Sequence, residues 1–285
     1  VSPGAVLDEA LAGAEGSIRL RGEERLVETL VAAAGPPAPF ELPRGAVCLV
    51  TGGATGVGAA IARHLAGRFE AKVVVVGRTS AADRLQVLEE LRSAGARSAR
   101  YESLDVSDAR GVDRLLDSLE RDLGPVDLAV HAAGVIEPGP LASRDLDGLV
   151  RVLRAKVDGA RALLANAGRI GRIALVSSVS ARVGALAVGM ADYAAANRAM
   201  EALAEAHPGR AAVLAYSLWA QTGMGEGSGL SERLAARGIR PLPTAEALEA
   251  FDLALGGGFP YALAYAGAVE PAALAVRPHA RESRA

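Results

Sequence analysis

The residues best suited to chemistry begin with a turn, Thr51-Gly52-Gly53-Ala54-Thr55-Gly56-Val57-Gly58. An apolar run precedes it, and a helix-period segment follows through Leu65. Glycines between a strand and a helix let the backbone approach a pyrophosphate closely, and the helix N-terminus adds free N–H groups and a positive dipole end. The spacing here is Gly-x-x-x-Gly-x-Gly, not the more familiar Gly-x-Gly-x-x-Gly. A tight turn without a ligand is the bland alternative; the strand before and helix after favour nucleotide binding. The next apolar run ends in Val76-Gly77-Arg78-Thr79. An acidic residue at that distance would take a ribose 2′-OH, whereas a guanidinium forks onto a 2′-phosphate. Arg78 therefore predicts NADPH as the cofactor, against the plain reading of a solvated surface arginine.

Further polar clusters fall at the ends of later apolar runs, where ligands sit in open α/β sheets. His131-Ala132-Ala133-Gly134 closes one run and Ser177-Ser178 closes another. Tyr193-Ala194-Ala195-Ala196-Asn197 opens a helix pattern, and the i, i+4 spacing places Tyr193 and Asn197 on one face. Lys156 lies in Arg154-Ala155-Lys156-Val157-Asp158-Gly159, inside an amphipathic helical segment. His131 reads as structural in its apolar setting. His64, His207 and His279 are scattered, so no metal site is expected.

The elements that must position these residues form a regular series. Apolar runs at residues 47–50, 72–76, 126–130, 173–176 and 212–215, with a weaker one at 98–101, alternate with helix-period segments. Near-continuous apolar strands imply burial on both faces. The alternation predicts an α/β fold: a doubly wound, Rossmann-type parallel sheet with helices on both faces. Before it, Ser17–Arg21 and Arg25–Val31 read as two short strands around a turn, followed by the stiff segment Gly35-Pro36-Pro37-Ala38-Pro39. The expected division is an N-terminal extension, 1–44, and a catalytic domain, 45–285.

Composition narrows the function classes. The chain has 285 residues, 51% hydrophobic and 22% charged, which is ordinary for a globular protein. Its net charge of −2 leaves no global footprint for nucleic acid or an anionic membrane. The single cysteine, Cys48, forms no internal disulfide and fits a reducing, cytoplasmic setting. No apolar run reaches the length of a membrane span, and no signal peptide is evident. The chain opens on Val1 rather than Met, which fits an excerpt from a longer protein and equally a trimmed free one.

The glycine turn, His131-Ala132-Ala133-Gly134, the serine and the tyrosine resemble the short-chain dehydrogenase/reductase superfamily. That superfamily usually carries a lysine where Asn197 stands. In one branch the lysine and asparagine exchange places: the ketoreductase domains of modular polyketide synthases and of polyunsaturated-fatty-acid-type synthases. Lys156-Val157-Asp158-Gly159 and Tyr193–Asn197 match the two motifs of that branch, over roughly residues 45 to 266. The resemblance implies NADPH-dependent reduction of a β-ketoacyl thioester on the phosphopantetheine of an acyl carrier protein, with neighbouring synthase domains as partners. Two other readings are a free-standing dehydrogenase acting on a small ketone or alcohol, and a non-catalytic nucleotide-binding module.

The resemblance also implies roles. A free tyrosine has a pKa of about 10, and a nearby ammonium lowers it. Lys156 is expected to do this, so that Tyr193 protonates the substrate oxygen as hydride arrives. Ser178 would hydrogen-bond the same oxygen, and Asn197 would orient Lys156 or a relay water. The serine has an alternative. The family's usual spacing counts back to Ser180, whereas motif alignment selects Ser178 and places a short insertion in the loop at 185–190. Asp105 and Val106 are expected at the adenine, and Ala132, Ala133 and Gly134 at the adenosine and ribose. Ser217 and Leu218 occupy the position of a Gly-Pro pair that flanks the nicotinamide. Trp219 belongs either to that segment or to the core, and the glycine-rich stretch from Gly223 to Gly229 reads as a mobile mouth. Neither marker of product stereochemistry is present: Val135-Ile136-Glu137-Pro138 stands where one product hand has Leu-Asp-Asp, and the 185–192 loop lacks the Trp of the other. The segment from Ser17 to Val31 resembles the closing strands of the structural subdomain that precedes such reductases.

Overall fold

The computed structural model describes residues 18–21, 24–27, 39–182, 187–220, 230–235, 238–264 and 266–267. The expected extents beyond these, at residues 17, 22–23, 28–31, 35–38, 185–186 and 221–229, lie outside the described residues. β1 (Ile18–Arg21) and β2 (Glu24–Val27) pair antiparallel, Ile18 opposite Val27. The main unit then runs β3 (Val47–Thr51), α1 (Gly56–Phe69), β4 (Lys72–Gly77), α2 (Leu85–Ser93), β5 (Ser98–Ser103) and α3 (Ala109–Asp122). It continues through β6 (Val126–His131), α4 (Leu146–Leu153), a π-turn (Arg154–Asp158), α5 (Gly159–Ala165), β7 (Ile170–Ser178) and α6 (Ala191–Glu205). It closes with β8 (Ala211–Tyr216), α7 (Leu230–Ala235), β9 (Ile239–Arg240), α8 (Thr244–Gly256), β10 (Tyr261–Ala264) and β11 (Ala266–Gly267).

Seven of these strands form one parallel sheet in the order β10-β8-β7-β6-β3-β4-β5. The fold is the Rossmann-type one expected. The order reverses between β3 and β6, where Thr51 sits opposite His131 at the carboxyl ends. A crevice opens outside such a switch point, and ligands of this fold class bind there.

Alternation along β3 shows why its run is apolar throughout. Cys48 and Val50 join a core layer with Ile61 and Leu65 of α1 and Phe251 of α8. Val47 and Leu49 join the opposite layer with Leu115 of α3, Leu163 of α5 and Met200 of α6. Both faces are covered, so both parities must be apolar. Each such side chain, fully buried, contributes about 1.5–3 kcal/mol. Burial, with Asp127 adding to it, pushes the Cys48 thiol up to about 12 and leaves it unreactive. Among the described residues no helix is long and apolar enough to cross a membrane.

Two features depart from the sequence reading. The seventh strand, β10, is Tyr-Ala-Leu-Ala and carries no β-branched residue to announce it. The segment around Lys156 is not a plain helix, because the π-turn widens it between α4 and α5.

Candidate active site

The glycine turn leaves β3 and enters α1 without a side-chain cap, and the first turn of α1 holds no acidic residue. The free N–H groups of this helix end are therefore open to an anion. Gly52 has φ of 69°, and a Cβ there would stand 2.7 Å from Ala133 Cα. Only glycine lets the turn lie against the His131–Gly134 segment. Beside the turn runs a cleft of about 570 Å³. Thr51, Gly52, Ala54 and Thr55 line one end of it. Arg78, Asp105, Val106, Ala133 and Gly134 also line it. Gly53, Gly56, Val57, Gly58 and Ala132 do not line it; they shape the turn and its packing. The cleft also takes in Arg84, Arg151 and Arg154, which sequence reasoning passed over because each sits in an ordinary helical or turn segment. Desolvation acts against the Asp105 carboxylate, but two hydrogen bonds from Ser107 and the charges of Arg78 and Arg154 hold it below its ordinary range. The cleft rim is thus strongly cationic around one carboxylate.

His131 is fully buried and bonded at both nitrogens. Its Nε2 lies 3.1 Å from the Lys156 carbonyl, and its Nδ1 lies 2.7 Å from the Thr51 hydroxyl. A carbonyl only accepts, so Nε2 carries the hydrogen and Nδ1 accepts from Thr51. Burial and the Lys156 charge push the imidazole pKa down to about 3, which keeps the ring neutral. The structural role expected for His131 therefore has a definite content: it joins the glycine turn to the lysine turn.

Lys156 is 1% exposed. The π-turn rotates it inward while neighbouring Arg154 stays on the surface. Its ammonium donates to the Val176 carbonyl at 2.7 Å, and burial pulls its pKa down to about 7. Gly134 gives it room, since a Cβ there would stand 2.7 Å from Lys156 Cε.

The π-turn packs against α6, which carries Tyr193 and Asn197. Asn197 is buried; its Nδ2 donates to the Tyr193 carbonyl at 2.9 Å, and its Oδ1 has no hydrogen-bond partner. A buried amide oxygen in that state is placed to accept from a donor such as an ammonium or a water. Burial pushes the Tyr193 phenol above its ordinary value. Desolvation here outweighs a lowering influence that comes from Asn197, and Lys156 is not among the causes. Ser178 ends β7 with its hydroxyl 2.9 Å from that of Ser180. Ser178 is partly exposed, whereas Ser180 is buried in the turn that Ser178 caps.

Ser217 bonds through its backbone N–H to Ala264 of β10, and Leu218 accepts from Leu242. Neither lines the cleft. Trp219 is in the core, edge-on to Tyr216 at 5.0 Å between ring centroids. The stretch from Gly223 to Gly229 lies outside the described residues. Two buried carboxylates near the centre escaped notice in the sequence. Glu201 accepts from Ser177 at 2.6 Å and from Arg182 at 2.9 Å. Asp192 is paired with Arg144. The Glu201–Arg182 and Asp192–Arg144 pairs join residues far apart in the chain, and no local spacing signals them.

Comparisons with known proteins agree with this fold. The KR domain family matches residues 46–221. Erythronolide synthase EryA2 of Saccharopolyspora erythraea is 39% identical over 233 residues, which is 78% of this chain and 6% of that synthase. The chain therefore spans only a small part of the curated relative it matches. A crystal structure of a ketoreductase domain from the bacillaene assembly line has a TM-score of 0.79 at 27% identity, covering 94% of this chain and 66% of that one. A short chain dehydrogenase from Burkholderia cenocepacia J2315, solved in complex with NADP, has a TM-score of 0.64 at 25% identity, covering 77% and 95%. By its fold and its sequence, the chain belongs to the KR domain family, the ketoreductase domains of polyketide synthases.

Proposed function

We propose that this domain uses NADPH to reduce the β-keto group of an acyl thioester to the β-hydroxy form. The observation that carries this is the packing of the Lys156 turn against the helix of Tyr193 and Asn197 at the carboxyl end of the sheet. The uncapped start of α1, the cleft beside it and Arg78 fit a dinucleotide with a 2′-phosphate. The NADP held by the Burkholderia dehydrogenase supports the same choice. When bound, the cofactor supplies hydride to the carbonyl carbon.

The chain's own residues handle the proton and the charge. Tyr193 donates its phenolic proton to the substrate oxygen, and Ser178 hydrogen-bonds that oxygen as charge develops. Lys156 stabilises the phenolate left behind. Asn197, through its free Oδ1, holds Lys156 or a water that returns the proton. Asp105 and Val106 face the adenine, and Ala133 and Gly134 the ribose. The β-ketoacyl chain arrives as a phosphopantetheine thioester of an acyl carrier protein, presented by neighbouring synthase domains. Residues 1–44 belong to a structural subdomain, and residues 45–285 form the reductase.

The test is oxidation of NADPH with a simple β-ketoacyl thioester, comparing the wild-type protein with Tyr193→Phe. Turnover by the wild type and its loss in the variant, with cofactor binding intact, is the expected result. A wild type that binds NADPH and turns nothing over would overturn the assignment. Equal turnover in Tyr193→Phe would overturn the mechanism.

A further inference from the structure

We propose that Arg144 is a positioning residue: paired with the buried carboxylate of Asp192, it sets the place of Tyr193 for proton transfer. Asp192 immediately precedes Tyr193 in the first turn of α6. One of its oxygens accepts the Tyr193 backbone N–H at 2.8 Å. The other lies 2.9 Å from Arg144 Nε. The side chains of Arg144 and Asp192 are 13% and 2% exposed.

A carboxylate this far from water needs a partner charge. The positive end of α6 supplies part of it. Arg144 supplies the rest, and it comes from a different segment, the connection between β6 and α4. The pairing continues outward. Glu137 lies 3.4 Å from Arg144 Nη1, and Arg151 of α4 lies 3.2 Å from Glu137. Signs alternate along Asp192, Arg144, Glu137 and Arg151, so the chain of four charges is neutral. A backbone bond from Gly139 N–H to the Gly189 carbonyl at 2.9 Å ties the same two segments. The connection that lines the cleft at Ala133 and Gly134 is thereby fixed to the helix start that carries the tyrosine. Displacing Asp192 displaces the Tyr193 peptide, because the carboxylate holds that N–H directly. Removing Arg144 would leave an uncompensated buried charge at this point.

This inference rests on the reductase reading, where the placement of Tyr193 governs the rate. The test compares wild type, Arg144→Met, Asp192→Asn and the double variant, with kcat expressed per NADPH-binding site so that misfolded protein is discounted. Arg144→Met is expected to lose roughly tenfold to hundredfold in kcat, the scale of a sub-ångström to ångström misplacement, with KM and NADPH affinity within about twofold of wild type. Asp192→Asn keeps an oxygen for the Tyr193 N–H and is expected to lose much less. The double variant, with no orphaned charge, is expected to recover most of the rate lost in Arg144→Met. Unchanged kcat in Arg144→Met, or a double variant no better than Arg144→Met, overturns the positioning role. A KM that rises in step with any fall in kcat/KM also overturns it. A wild type that binds NADPH without turnover removes the reductase reading instead, and the catalytic meaning of Arg144 with it.

Discussion

The hydroxyl of Ser177 donates to the buried carboxylate of Glu201 at 2.6 Å, joining the end of β7 to the helix that carries Tyr193. Successive strand residues face opposite ways, so Ser177 is the anchor that leaves Ser178 facing the other side. Glu201 also takes Arg182 at 2.9 Å and Arg198 at 3.3 Å, and Arg182 stacks over the Tyr261 ring at 4.1 Å. Glu201→Ala leaves arginines facing a cavity and is expected to destabilise the fold by about 3–5 kcal/mol. Glu201→Gln keeps the shape and the Ser177 bond and is expected to lose less. Urea unfolding of the two variants, compared through their midpoints at equal slope, measures the difference.

Lys156 gives a pH-dependent stability with a definite sign. Its folded pKa of about 7 lies below its ordinary value because of burial. Below pH 7 both folded and unfolded chains hold the proton, and the fold bears the buried charge in full. Between about pH 7 and the ordinary lysine pKa, only the unfolded chain holds it, so stability rises with pH. Lys156→Met should therefore melt higher than wild type at pH 6, by at least a few degrees given about 2–4 °C per kcal/mol for a chain of this size. The gap should close steadily above pH 7 in thermal scans. The same variant should have no measurable reductase turnover.

Ser178 and Ser180 can be separated by activity. Their hydroxyls touch, but only Ser178 is partly exposed. Ser178→Ala is expected to lower kcat about 10²–10³-fold, the range for removing one donor to a developing oxyanion. Ser180→Ala is expected to lower it less than tenfold, through the lost contact alone. Steady-state kinetics on a β-ketoacyl thioester distinguishes the two.

Arg78 stands at the exposed rim of the cleft, near enough to influence Asp105. Arg78→Ala is expected to weaken NADPH binding about tenfold to hundredfold, or roughly 1.4–2.7 kcal/mol, and to leave NADH nearly unchanged. Titration calorimetry with each nucleotide reads this directly. An unaltered preference would show that Arg84 or Arg154 holds the phosphate instead.

Most of the sheet was legible because strands such as β3, β4 and β8 are buried on both faces and their apolar runs are nearly unbroken, whereas the edge strand β5 buries only Tyr101 and gave a weaker signal. β10 was not, because an alanine-rich segment has no β-branched signature and becomes a strand only through β8. The Tyr193–Asn197 spacing was legible because a helix fixes i, i+4 geometry. The π-turn at Lys156 was not, since a widened turn leaves no mark in hydrophobic period. The carboxylates of Asp192 and Glu201 were equally silent. Each lies on an alanine-rich helix and acquires meaning from an arginine on another element. Trp219 could have belonged to the nicotinamide side or the core, and tertiary packing against Tyr216 decided for the core.

His131 brings one more consequence. In the fold its ring refuses a proton down to about pH 3, while in an unfolded chain it accepts one near 6.5. Across that interval acid favours the unfolded state, by up to about 1.4 kcal/mol for each pH unit. The strain falls on the glycine turn and the lysine turn together, because one imidazole holds both. Acidification would therefore loosen the glycine turn and the lysine turn as a single unit, through the one imidazole that joins them.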